Sequence, residues 1–132
     1  VPALFRATVL DCPEPLKLAE FYRELLGWRL AQRAPDWCVL TNDNGLRLSF
    51  QQVADHQPPE WPDPSRPQQV HLDFAVDDQD DLERVERRVL ELGGTRLPEP
   101  PDRAGQLRIY ADPAGHPFCL IPGVWPARDH ED

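Results

Sequence analysis

The chain has 132 residues, the size of one domain or of two half-domain modules. Hydrophobic residues make up 40% and charged residues 28%, a globular balance that excludes a disordered chain. With 14 basic and 23 acidic residues the formal charge is −9, which repels phosphate backbones and anionic lipid and attracts cations, so neither nucleic acid nor a membrane is an expected partner.

No apolar run approaches the roughly 18 residues of a membrane span. Residues 1–6 lack the basic-then-apolar plan of a secretion signal, and the 3 cysteines form no CxxC pair. Reduced thiols in a cytoplasmic protein are the expectation. The 16 prolines fall between apolar segments, where they punctuate short elements.

Residues 5–10 read as a β-strand, bounded by Asp11-Cys12-Pro13. Pro15 suits the first turn of a helix, and Leu18, Phe21, Tyr22 and Leu25 recur at helical spacing, so a helix is predicted over 15–26. Gly27 follows as its C-terminal cap. Short strands are predicted over 28–32, 37–41 and 46–51, with Asn42-Asp43-Asn44-Gly45 as a hairpin loop. Residues 56–67 hold Pro58, Pro59, Pro62, Pro64 and Pro67 around Trp61, too many prolines for a regular element. This stretch reads as a stiff linker, or as a lid that packs Trp61 over a cleft.

The plan then repeats. A strand is predicted over 70–76, acidic helix-start residues over Asp77-Asp78-Gln79-Asp80, and a helix over 79–92 with Leu82, Val85, Val89 and Leu92 on one stripe. Gly93-Gly94 ends it, and strands follow over 95–97, 107–111 and 117–121, the last after the turn Asp112-Pro113-Ala114-Gly115. The shift that lays Leu18 on Val85 also lays Tyr22 on Val89, Leu25 on Leu92 and Gly27 on Gly94. An internal β-α-β-β-β repeat is therefore expected, with module one about 4–53, a connector about 54–68, module two about 69–122 and a tail over 123–132. In the strand over 70–76, Val70, Leu72, Phe74 and Val76 alternate with His71, Asp73 and Ala75. The apolar face should pack beneath a helix and the polar face should turn to a cavity. The acidic residues Asp77–Asp81, Glu83 and Glu86 read as the solvated face of the second helix.

This organisation resembles the vicinal oxygen chelate superfamily, which includes glyoxalase I, bleomycin-resistance proteins and extradiol dioxygenases. Phe21-Tyr22-Arg23-Glu24-Leu25-Leu26-Gly27-Trp28 is similar to that family's first helix end, and Asp112-Pro113-Ala114-Gly115-His116-Pro117-Phe118-Cys119-Leu120 to its DPxG turn and last strand. Small glyoxalase-like proteins of actinobacterial type are the subgroup it resembles, with Pro-x-Trp-Pro at Pro59 to Pro62. The resemblance implies an α+β fold of two tandem β-α-β-β-β modules, a cupped mixed sheet around a cleft with helices outside, and a homodimer. It also implies four metal-ligand positions on cavity strands. These fall on Ala7, on Arg47 or Ser49, on His71, and on Cys119 where metal-binding members carry Glu.

Only His71 matches that ligand set. His71 with Cys119 makes two donors, too few for a divalent ion, so no metal and no cofactor are expected. A rival reading joins His71 and Asp73 to His116 or His130 as a two-His-one-carboxylate site. Cys119 is either a nucleophile activated by His71 or a small buried apolar residue. Phe50 and Phe118 read as aromatics on or beside cavity strands, Phe118 as core, and Trp37 and Tyr110 as pocket lining. The candidate ligand-binding set is Trp37, Arg47, Ser49, His71, Asp73, Tyr110 and Cys119, with His71 as the candidate catalytic base. The expected function is metal-free binding of a small apolar or cationic molecule in the manner of bleomycin-resistance proteins. The alternative is a glyoxalase-like lyase or isomerase, metal-dependent or assisted by His71.

Overall fold

The structure, a computed structural model, describes residues 2–123. Two compact units divide between Gln57 and Pro58. Two helices and two four-stranded mixed sheets form a tandem α+β arrangement, as the repeat predicts. No helix among the described residues is long and apolar enough to cross a membrane.

In the first unit, strand β1 (Thr8–Cys12) leads into helix α1 (Pro15–Leu26), then β2 (Arg29–Ala34), β3 (Trp37–Thr41) and β4 (Arg47–Gln52). The sheet order is β1-β4-β3-β2, with β1 and β4 parallel and the other neighbours antiparallel. Pro15 starts α1 where a missing N–H costs nothing, and Gly27 ends it at φ 71, donating its N–H to the Arg23 carbonyl at 2.8 Å. Leu18, Ala19, Phe21 and Tyr22 are buried, and Tyr22 stacks on Phe50 of β4 with ring centroids 5.9 Å apart. The hairpin between β3 and β4 closes on Asn42, whose Oδ1 accepts from the backbone N–H of Asn44 and of Leu46.

The second unit repeats the plan. β5 (Leu72–Val76) leads into α2 (Gln79–Glu91), then β6 (Thr95–Leu97), a 3-10 turn (Pro101–Arg103), β7 (Arg108–Ala111) and β8 (Pro117–Pro122). The order β5-β8-β7-β6 has the same parallel and antiparallel pairs as the first sheet. Asp78 caps α2, its side chain accepting from the Asp81 N–H at 2.8 Å. The glycine pair divides its work. Gly93 takes the left-handed φ of 101, while Gly94 is a close approach, where a Cβ would stand 2.6 Å from Val89 Cγ1. In the repeat as aligned by sequence Gly27 falls on Gly94, but the left-handed cap passes to Gly93.

The proline-rich stretch does not act as a plain linker. From Pro58 onward it belongs to the second unit. The Glu60 N–H donates to the Arg66 carbonyl at 2.9 Å, the Arg66 and Glu60 side chains pair, and Asp63 Oδ1 accepts from the backbone N–H and the hydroxyl of Ser65. The segment thus supplies its own hydrogen bonds without helix or sheet. The Trp61 indole donates to the Pro98 carbonyl at 2.8 Å, which holds the ring against the β6 end of the unit.

Candidate functional site

The pleat of the second sheet separates two sets of side chains. Leu72, Phe74, Phe118 and Tyr110 face α2, with Phe74–Phe118 centroids 5.8 Å apart and Tyr110–Phe118 stacked at 5.4 Å. His71, Asp73, Cys119 and Ile109 take the other face. Within Leu72–Val76 the division into an apolar helix-facing side and a polar side follows the sequence reading, whereas Val70, expected on the apolar face, precedes β5 and is exposed.

Register explains what meets on that second face. Asp73 lies directly opposite Cys119 in the parallel β5–β8 pair, and Cys119 lies opposite Ile109 in the antiparallel pair. His71 is two residues before Asp73, so its side chain leans to the same side. His71 Nε2 stands 3.3 Å from Asp73 Oδ1. Ligand atoms of His71, Asp73 and Cys119 all lie within 4.8 Å of one another. His71 and Asp73 are exposed, while Cys119 is buried.

The surroundings of Cys119 bear on its chemistry. Burial pushes the Cys119 thiol up to about 12, and the charge and hydrogen bonding of Asp73 add to the effect. A thiol held this strongly protonated is a poor nucleophile at neutral pH. His71 beside a carboxylate has the arrangement of an oriented imidazole.

A cavity of about 310 Å³ opens beside the cluster. Trp61, Pro100, Leu107, Ile109 and Pro117 form its apolar walls, and His71 and Cys119 part of its lining. Gln68, Asp102 and Arg103 add polar groups. Gln68 Oε1 is buried without a hydrogen-bond partner, a carbonyl that a bound donor would satisfy.

The other sequence candidates are placed differently. Tyr110 does not line this cavity. It is fully buried on the helix side, and its hydroxyl donates to Glu86 of α2 at 2.7 Å. Burial, then this bond to Glu86, drives the phenol well above its ordinary range. Glu86 is correspondingly not a solvated carboxylate, since it also pairs with Arg96 at 2.7 Å and approaches Arg108 at 3.3 Å. Trp37, Arg47 and Ser49 share the face of the first sheet turned from α1, where Ser49 pairs with Val39 and Arg47 with Thr41. Ser49 is buried, and Arg47 Nε is buried without a hydrogen-bond partner. His116 sits in the Asp112 turn, its N–H donating to Asp112 Oδ1, and is not part of the His71 cluster. His130 lies outside the described residues.

Sequence reasoning missed Gln68, Arg103, Leu107 and Ile109. For Leu107 and Ile109 a signal existed, because they alternate with Arg108 and Tyr110, and the cavity takes the aliphatic pair. For Gln68 and Arg103, in irregular backbone among prolines, no periodicity pointed to the site.

Comparison with known proteins agrees with the topology. A glyoxalase/bleomycin resistance protein/dioxygenase family enzyme from Burkholderia phytofirmans superposes with a TM-score of 0.70 at 14% identity, covering 92% of this chain and 100% of the other. Fosfomycin resistance protein FosX from Listeria monocytogenes, a mutant complexed with Mn(II) and a dihydroxypropylphosphonic acid, gives 0.70 at 17% identity, over 95% and 96%. A glyoxylase/bleomycin resistance protein/dioxygenase domain from Frankia gives 0.64 at 17% identity, over the full length of both chains. These likenesses establish the fold alone. No curated protein sequence matches the chain. The model of the glyoxalase-like domain matches residues 7–121, nearly all of the sequence, and the chain belongs to that family.

Proposed function

We propose that the protein binds a small organic molecule in the second-module cavity, as a binding protein of the glyoxalase and bleomycin-resistance type. The observation that carries this reading is the cavity of about 310 Å³, with apolar walls and a few polar groups on its lining, among them His71 and the unpartnered Gln68 carbonyl. Ligand sites have this composition: apolar contact supplies affinity, and a few polar groups fix orientation. The formal charge of −9 favours neutral or cationic ligands. The buried cysteines of the described residues form no disulfide, which suits a reducing cytoplasm, and a homodimer is the proposed assembly, by the resemblance.

A thermal-shift panel of small amides, amines and aromatic heterocycles, run with a chelator present, tests the reading. At least one class should raise the melting temperature of the wild type and fail to do so with Trp61→Ala and His71→Ala. A panel without effect, or shifts that both variants retain, would count against it. A second reading, a lyase or isomerase using His71 as base, is favoured by the 3.3 Å approach of Asp73 to the imidazole. Turnover that His71→Ala abolishes while the ligand still binds would place that reading first.

A further inference from the structure

We propose that the second-module cavity recognises an organic cation bearing N–H groups, a primary ammonium or an amidinium on an apolar body, and that Gln68 and Asp102 set this preference. The inference rests on the cavity reading above and names the class of ligand that the cavity takes.

The donors on the cavity lining are mostly committed within the protein. The Trp61 indole N–H goes to the Pro98 carbonyl at 2.8 Å. The Cys119 thiol, held protonated, hydrogen bonds to Asp73. Pro100 and Pro117 have no N–H to offer. His71 Nε2 faces Asp73 Oδ1 at 3.3 Å, and a carboxylate there favours the neutral tautomer with its hydrogen on Nε2. Nδ1 then keeps its lone pair.

The acceptors are in the opposite condition. Gln68 Oε1 is buried without a hydrogen-bond partner. Asp102, in the 3-10 turn, has no side-chain hydrogen bond or ion pair among the described residues. Glu83, Glu86 and Glu99 of the same module are held by Arg96 and Arg108, whereas Asp102 is left for a ligand. A buried carbonyl without a partner costs free energy until a donor reaches it. Such a site selects a molecule that brings N–H groups and rejects the analogue that lacks them.

Charge narrows the class further. Asp102 lines the cavity and the formal charge is −9, so a positively charged donor gains over a neutral one. The Trp61 wall is aromatic, a surface that attracts cations. The opposing group is Arg103, next to Asp102 in the turn. It is exposed, and its long side chain can carry the guanidinium out to solvent. Leu107, Ile109 and the two prolines take the apolar body. A quaternary ammonium brings the charge but leaves the Gln68 carbonyl unpaired. A carboxylate ligand meets Gln68 Oε1 and Asp102 as repulsion.

The test is 1H–15N NMR titration of the full chain at neutral pH with five probes that share a phenyl body. Benzylamine and benzamidine represent the class. Benzyltrimethylammonium has the charge without N–H, benzyl methyl ether has neither, and phenylacetate has the opposite charge. Benzylamine or benzamidine should bind at least about tenfold more tightly than the other three, the factor that one charge-assisted hydrogen bond supplies. Gln68→Leu should remove the margin over benzyltrimethylammonium and keep at least the wild-type melting temperature, because the carbonyl has no protein partner to lose. Asp102→Asn should weaken benzylamine binding about two- to fivefold, and Arg103→Gln should not weaken it. Phenylacetate, the ether or the quaternary probe binding as tightly as the amines would overturn the inference and leave the cavity reading standing. So would a margin that survives Gln68→Leu. Five titrations without saturation would overturn it as well, and the thermal-shift panel then decides the cavity reading alone.

Discussion

Alkylation of Cys119 measures how far its surroundings suppress the thiolate. The thiol moves from an ordinary 9.0 to about 12, so at neutral pH its ionised fraction falls about a thousandfold. The thiolate that does form is more basic and hence more nucleophilic. A Brønsted slope of about 0.4–0.5 returns roughly 15–30-fold over that interval. The net expectation is a rate about 30–60-fold below an ordinary thiol, before any loss from restricted access. Iodoacetamide labelling at pH 8 with a chelator present, followed by peptide mass spectrometry, separates Cys119 from Cys12 and Cys38. In Asp73→Asn the rate should rise, because a neighbouring negative charge is gone, yet stay below the ordinary value, because burial is the larger cause. Wild-type Cys119 labelling as fast as a free thiol at pH 8 would refute this account of the site and restore the nucleophile reading.

Three further predictions concern the scaffold behind the site. Glu86→Ala removes the partner of Tyr110 and Arg96 and a neighbour of Arg108, and should cost about 2–3 kcal/mol in urea unfolding; a change under 0.5 kcal/mol would mean the network is idle. Tyr110 has a folded-state ionisation raised above its ordinary 10.0, so its contribution to stability is complete below pH 10 and is lost as pH rises beyond it. Melting temperatures between pH 9 and 12 should fall more steeply for wild type than for Tyr110→Phe, and parallel curves would contradict this. Gly94→Ala would drive a Cβ to 2.6 Å from Val89 Cγ1 and 3.1 Å from the Val89 carbonyl, and should destabilise by about 1–3 kcal/mol, with an unchanged urea midpoint as the contrary result.

The elements were legible in the sequence because periodicity reports burial directly. Helix α1 was expected over its observed length, and the alternation of Leu72 and Phe74 with His71 and Asp73 named the correct faces of β5. Which face a neighbouring strand presents was harder to read. Tyr110 and Ile109 are both apolar enough to line a pocket, and the choice turned on Glu86, a residue 24 positions away that takes the Tyr110 hydroxyl. The meeting of Asp73 with Cys119 depends on parallel register between strands far apart in sequence, which no local pattern encodes. The folding of the proline-rich segment around Glu60, Asp63 and Arg66 was hidden for a related reason: its hydrogen bonds are specific pairs without a period.

The central claim, a ligand site in the second module around His71, is tested most directly by 1H–15N NMR on the full chain. A hit from the thermal-shift panel would be titrated in chelator. The Trp61 indole N–H, anchored on the Pro98 carbonyl, is a ready reporter of the cavity wall. The account predicts saturable shifts concentrated at the Trp61 indole and the amides of Gln68, His71, Ile109 and Cys119, all of which line the cavity, and their loss in His71→Ala. Saturable shifts that leave these residues unmoved and map to other surfaces would contradict it.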